Sequence, residues 1–309
     1  MKVLLIDVDS KIPNLALMQI STVAKQSGHD VQLVRFKDMK GPIDADLVFA
    51  SIVFKWNAPK GEILEQWYPF NLDIGGSGWD IYKKLPENVS RAMPDYSIYP
   101  DCDYDLGFSS RGCIRHCKFC IVPRKEGAWK KNQHPVEFHD PAHKKVLLMD
   151  NNILANKEWF FEVASWIHAN KMKVDFNQGL DIRLLDLAIA RKLATLKPFR
   201  CWRFAFDSMS YRDDVIRGLK ILRLAGINVR NKVLFYVYLD SDDEFEDALE
   251  RCNILRNEGT LAFIMFNKDA IKTQRIIDLK RWCRPWIFFK VPWDEYDRKV
   301  RNRSHLEMI

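Results

Sequence analysis

Short apolar runs alternate along nearly the whole chain with segments whose apolar residues recur at helical spacing, and this alternation constrains the fold more than any other feature. Val3-Leu4-Leu5-Ile6 is a buried-strand pattern, after which Ala16, Ile20, Val23 and Ala24 keep helical spacing up to Gly28, a helix stop. Val31 to Phe36 and Asp46 to Phe54 supply further strands. Leu72-Asp73-Ile74 then runs into the turn Gly75-Gly76-Ser77-Gly78. Strands separated by single helices pair in parallel, so an α/β architecture is expected.

The same rhythm continues from Asp103 onward. Strands are expected at Tyr104 to Phe108, Lys145 to Met149, Val174 to Phe176, Trp202 to Phe206, Val233 to Leu239 and Leu261 to Phe266. Between them lie helices carrying Phe160, Val163, Ala164 and Ile167, then Leu185, Ala188, Ile189 and Leu193, then Val215, Leu219 and Leu222. Ser241-Asp242-Asp243-Glu244 has the spacing of a capping box. Polar residues follow the apolar runs directly: Asp150-Asn151-Asn152, then Asn177-Gln178 with Asp181 and Arg183, then Asp207-Ser208. In parallel α/β folds the carboxyl ends of strands are where ligands are held.

Cys113, Cys117 and Cys120 stand in the run Arg111-Gly112-Cys113-Ile114-Arg115-His116-Cys117-Lys118-Phe119-Cys120. Three soft thiolates on one loop suit three irons of a cubane cluster and leave the fourth open. This spacing, with an aromatic residue before the last cysteine, strongly resembles the radical S-adenosylmethionine (SAM) superfamily. The competing reading is a zinc site completed by His116, His134 or His139, serving a zinc-stabilised nucleic-acid-binding protein. A disulfide framework does not suit seven cysteines spread over 309 residues.

The resemblance covers roughly residues 100 to 290 and implies a partial (β/α)6 barrel at 101–290, preceded by a small Rossmann-like domain at 1–100 and followed by a basic tail at 291–309. It implies a [4Fe-4S] cluster on Cys113, Cys117 and Cys120, with SAM on the open iron. One electron, from a reductant such as flavodoxin or ferredoxin, would cleave SAM to methionine and a 5′-deoxyadenosyl radical that takes hydrogen from an unactivated carbon. By the same resemblance Asp150 and Asn151 hold the SAM amino group, in place of the family's glycine-glycine-glutamate motif. Asn177, Arg183, Asp207 and Ser208 contact its carboxylate and ribose, and Phe119 lies beside the adenine. Taken singly, a polar strand-end residue is as readily a cap or a turn.

The segment from Pro13 to Leu17, running on to Gly28-His29-Asp30-Val31, resembles the opening of the cobalamin-binding-type domain that precedes many radical SAM cores, and Gly75 to Gly78 sits where that family has a glycine pair. A cobalamin-dependent radical SAM methyltransferase is therefore the alternative activity. The chain departs from the cobalt-ligating motif: Asp7-Val8-Asp9-Ser10-Lys11 contains no histidine. The expectation is a Rossmann-like remnant whose glycines make a turn.

Cys201, Tyr236 and Tyr238 lie on or beside strands and are expected to pack rather than to return a hydrogen atom. Cys102, Cys252 and Cys283 have no paired spacing, which argues against a second cluster and against the methylthiotransferase branch.

No apolar stretch approaches the roughly twenty residues of a membrane span, and no apolar secretory segment opens the chain. A soluble protein of the reducing cytoplasm is expected. The net charge is +7. Two basic regions bear on the substrate. Around the cysteines are Arg111, Arg115, Lys118, Arg124, Lys125, Lys130 and Lys131, against Glu126 alone. From Lys280 to Arg303, Lys280, Arg281, Arg284, Lys290, Arg298, Lys299, Arg301 and Arg303 alternate with Trp282, Trp286 and Trp293. Cations beside stacking rings match nucleic acid. For the tail, tryptophans covering the end of a barrel is the simpler expectation.

Overall fold

The computed structural model describes residues 1–266 and 273–298. Lys299, Arg301 and Arg303, expected in the basic tail, lie outside the described residues. The chain divides into two compact units, Met1–Asp150 and Asn151–Ile309. Both are α/β with parallel strands. No helix among the described residues is long and apolar enough to cross a membrane.

The first unit begins with β1 (Lys2–Asp7), α1 (Leu15–Gln26), β2 (Asp30–Arg35), β3 (Leu47–Ser51), α2 (Ala58–Trp67) and β4 (Leu72–Gly75). The strands form a parallel sheet of order β2-β1-β3-β4. The central strand is apolar on both faces because both are covered. Val3 and Leu5 pack with Leu17 and Ala24 of α1, while Leu4 and Ile6 pack with Leu64 of α2 and with Val48 and Ala50. Asn14 caps α1 by accepting the Leu17 amide, and its own amide donates to Ser10 Oγ and Ser51 Oγ, both at 2.8 Å.

After α3 (Glu87–Ser90) come β5 (Asp105–Gly107), β6 (Ser110–Arg111), α4 (Val122–Lys125), β7 (Lys130–Lys131) and β8 (Lys145–Leu148). β5 and β8 pair in parallel, with Leu106 opposite Leu147. Both leucines join a core cluster with Leu15 and Met18 of α1. Buried Asp105 accepts from His139 Nδ1 at 2.6 Å and His143 Nδ1 at 2.9 Å, which fixes the segment leading into β8.

The second unit runs α5 (Lys157–Ala169), β9 (Lys173–Phe176), α6 (Leu187–Thr195), β10 (Lys197–Pro198), β11 (Trp202–Ala205), α7 (Arg212–Leu224), α8 (Val229–Lys232), β12 (Val233–Leu239), α9 (Phe245–Asn257), β13 (Leu261–Phe266), α10 (Gln274–Trp282) and α11 (Pro285–Phe288). β9 pairs with β10, and β11-β12-β13 form a parallel sheet in which Phe204 lies opposite Phe235, their rings 5.5 Å apart. β12 alternates strictly, with Val233, Phe235, Val237 and Leu239 buried.

The six strands expected beyond residue 100 are present as β5, β8, β9, β11, β12 and β13. Two local expectations need correction. Leu185 precedes its helix: Asp186 caps α6, its carboxylate accepting the Ile189 amide at 2.8 Å, and Leu185 is buried on the turn before it. The capping box at Ser241 does not form. The Ser241 side chain makes no capping bond, and Glu244 accepts the Asp240 amide instead, because a tight turn at Asp242–Glu244 delays the helix start to Phe245.

Candidate metal and cofactor site

The cysteine loop leaves the end of β5 and is pinched at its base by β6 and β7, which pair antiparallel with Ser110 opposite Lys131 and Arg111 opposite Lys130. Asp150, buried just after β8, holds this base from below. Its carboxylate accepts the backbone amides and both hydroxyls of Ser109 and Ser110. Burial pushes the Asp150 carboxyl up while these bonds oppose the shift. Gly112 adopts φ +78°, and a Cβ there would lie 2.2 Å from the Ala128 carbonyl oxygen. Only glycine lets the two arms of the loop approach this closely.

All three cysteines are half-buried. The Arg115 amide donates to Cys113 Sγ at 3.3 Å, and the Val122 amide donates to Cys120 Sγ at 3.4 Å. Cys113 N donates to the Gly127 carbonyl and Cys120 N to that of Cys117. Amide bonds to sulfur are among the features that tune iron–sulfur centres. Cys113, Cys117 and Cys120 thus bring three soft donors of the kind such centres take onto one loop. Among the described residues, no three or more His, Cys, Asp or Glu side chains form a ready group for a metal ion. The thiols thus share one loop without forming a preassembled cage. Two of the histidines considered for zinc have other work: His139 bonds Asp105, and His134 Nδ1 accepts the Val136 amide.

Charges in the loop are partly used internally. Arg111 lies 3.9 Å from the centre of the Phe108 ring and pairs with Glu126 at 3.2 Å. Lys125 Nζ donates to Ser77 Oγ at 2.6 Å, joining the cysteine loop to the glycine turn after β4. Burial pulls the Lys125 pKa down, with Glu126 opposing and Arg111 adding to the shift. Phe119 stands at 42% exposure on the same loop.

The glycine turn after β4 is accounted for by the chain's own backbone. Gly76, at φ +101°, would place a Cβ 2.2 Å from Ile52 O, and one on Gly78 would lie 2.5 Å from Phe54 C. These glycines answer to the chain's own backbone. The first-loop aspartates are also committed: Asp7 accepts from Ser10 N and Tyr99 OH, and Asp9 from Val53 N, Phe54 N and Asn57 Nδ2. A separate cavity of about 750 Å³ lies along β2, lined by Leu33, Arg35, Met39, Tyr99, Cys102 and Tyr104 among others; none of the expected site residues lines it.

In the second unit, polar groups at the strand ends form one connected cluster. Asp181 accepts from Arg183 Nε at 2.7 Å and from Asn152 Nδ2 at 3.3 Å. The Arg183 guanidinium stacks 4.5 Å from the centre of the Tyr211 ring, and the Tyr211 hydroxyl accepts the Asp207 amide. Asp207 Oδ1 accepts the Tyr238 amide at 2.9 Å. Burial pushes the Asp207 carboxyl up to about 6, against the pull of the Tyr238 bond, Arg251 and Arg183. Arg251, 1% exposed, donates to the carbonyls of Phe206 and Tyr238. Arg183 and Asp207 are thus brought together through Tyr211. Ser208 instead caps a turn at Ser210, the Asn177 carbonyl accepts from Tyr236 OH, and Asn151 is half-buried immediately after Asp150.

Sequence reasoning missed Tyr211 and Arg251. An arginine one position before Cys252 on the buried face of α9 was the available signal for the latter. Cys252 and Cys283, expected to be scattered, lie with their sulfurs 3.8 Å apart in the core. The Tyr238 hydroxyl is taken by Asp240 at 2.9 Å. In comparisons with known proteins, no family model matches the chain and no curated protein matches it.

Proposed function

We propose that the chain is a radical SAM enzyme of the reducing cytoplasm, with a [4Fe-4S] cluster held by Cys113, Cys117 and Cys120. The reading rests on one observation: three cysteines at this spacing occupy a single loop in which two of the sulfurs accept main-chain amides. When bound, the cluster would pass one electron from a flavodoxin- or ferredoxin-like donor to SAM, and the resulting 5′-deoxyadenosyl radical would take hydrogen from an unactivated carbon. The residues of the chain do the positioning. Asp150 and the two serines fix the base of the loop, Gly112 lets its arms meet, and Lys125 ties it to Ser77. Phe119 offers a ring face beside the cysteines for the adenine. In the second unit Arg183 and Asp207 offer a cation and an acceptor suited to a carboxylate and a ribose. The finer description of 101–290 as a partial (β/α)6 barrel belongs to this proposal and rests on the order of strands and helices.

The test is anaerobic reconstitution with iron and sulfide, reduction in the presence of SAM, and mass detection of 5′-deoxyadenosine for wild type and Cys117→Ala. Product that requires Cys117 supports the reading. A colourless protein that retains zinc overturns it.

A further inference from the structure

The segment Arg111–Lys131 carries seven cations and one carboxylate, a charge of +6 on one short loop of a chain whose net charge is +7. The fold then decides which of these charges face outward. Arg111 is neutralised by Glu126, and Lys125 is turned in to Ser77. Lys118, Arg124, Lys130 and Lys131 are exposed, with Arg115 half-buried among them. Phe119 is 42% exposed and His116 is exposed, so ring faces alternate with cations along the loop.

The other basic region is built differently. Trp282 is fully buried and donates its Nε1 to the Val291 carbonyl at 2.7 Å. Trp293 packs edge-on against Trp282 and stacks on Tyr296, and Lys280 lies over the Phe266 ring. Rings committed to packing are poor platforms for bases. Trp286 is 56% exposed there, but the exposed cations Lys280, Lys290 and Arg298 are matched by exposed Asp294, Glu295 and Asp297, so the cysteine loop carries the larger unbalanced positive charge.

We propose that the cysteine loop docks single-stranded nucleic acid, with Lys118, Arg124, Lys130 and Lys131 on phosphates. A single strand fits better than a duplex because α4 spans only Val122–Lys125, too short to lie in a groove. The proposal takes from the radical SAM reading only that the docked strand is its substrate; the docking itself follows from charge and exposure.

The experiment measures fluorescence anisotropy of a labelled mixed-sequence oligonucleotide of about 20 nucleotides across a salt series. It compares the full chain with the variant Lys118→Gln/Arg124→Gln/Lys130→Gln/Lys131→Gln, while iron and sulfide are assayed on the same preparations. Each phosphate contact to a single strand adds about 0.7 to the salt slope, so four contacts predict roughly fiftyfold weaker binding for a fourfold rise in salt, and a nearly flat response in the quadruple variant. No binding by wild type at low salt, or equal binding by the quadruple variant, overturns the proposal. So does binding to anionic phospholipid vesicles in preference to the oligonucleotide. Wild type that binds the oligonucleotide but takes up no iron sinks the enzyme reading and leaves the docking surface standing.

Discussion

Lys125 and Ser77 show how one side-chain bond can hold two loops in register. A half-buried ammonium that loses its acceptor keeps its desolvation cost, whereas a hydroxyl that loses its donor can rotate toward water. Ser77→Ala should therefore destabilise the protein by about 1–3 kcal/mol, and Lys125→Met by less, a ranking that chemical denaturation checks. Asp207 carries a signed pH dependence. Its carboxyl titrates near 6 in the folded chain and near 3.8 when unfolded, so the folded form binds the proton more tightly between those values. Its contribution to stability is fully present below about pH 4 and is lost as pH rises through 6, a loss of at most about 3 kcal/mol. Asp207→Asn keeps an oxygen for the Tyr238 amide. Its melting midpoint should exceed that of wild type at pH 7.5 and match it near pH 4; a difference that does not vary with pH would refute this account.

At the scale of elements, the cysteine loop depends on a base of only two residue pairs, Ser110–Lys131 and Arg111–Lys130. So short a ladder holds only because Asp150 gathers four donors beneath it and Gly112 passes close to Ala128. Gly112→Ala adds backbone strain of about 1–3 kcal/mol to a steric clash. It should lower iron incorporation while the far-ultraviolet circular dichroism stays near wild type, because the damage is confined to the loop. An unchanged iron content would show that the arms can part without consequence. The strands themselves were legible in the sequence, since Val3–Ile6 is a short continuous apolar run and Val233–Leu239 is rich in β-branched and aromatic residues. The start of α9 was not. Ser241 and Glu244 have the right spacing, but Asp242 is engaged by Thr273 and Arg275, from more than thirty positions away, and the preceding turn tightens.

For the whole molecule, each unit has apolar packing of its own: Leu4, Ile6 and Leu64 in the first, Phe204, Phe235 and Leu219 in the second. Phe204→Ala should cost about 3–5 kcal/mol. Hydrogen exchange should show the loss of protection first in β11, β12 and β13; uniform loss from β1 onward would contradict it. The sequence by itself determined the strand and helix segments, the thiol loop and the concentration of charge around it, because backbone period and ligand spacing are set by neighbours along the chain. Only the tertiary structure decided that Cys252 meets Cys283, that Lys125 turns inward to Ser77, that Arg251 is buried beneath Asp207, and that Trp282 and Trp293 pack together while Trp286 stays exposed. Those outcomes depend on which surfaces exclude water together, and residues tens of positions apart acquire that relation only when the chain has packed.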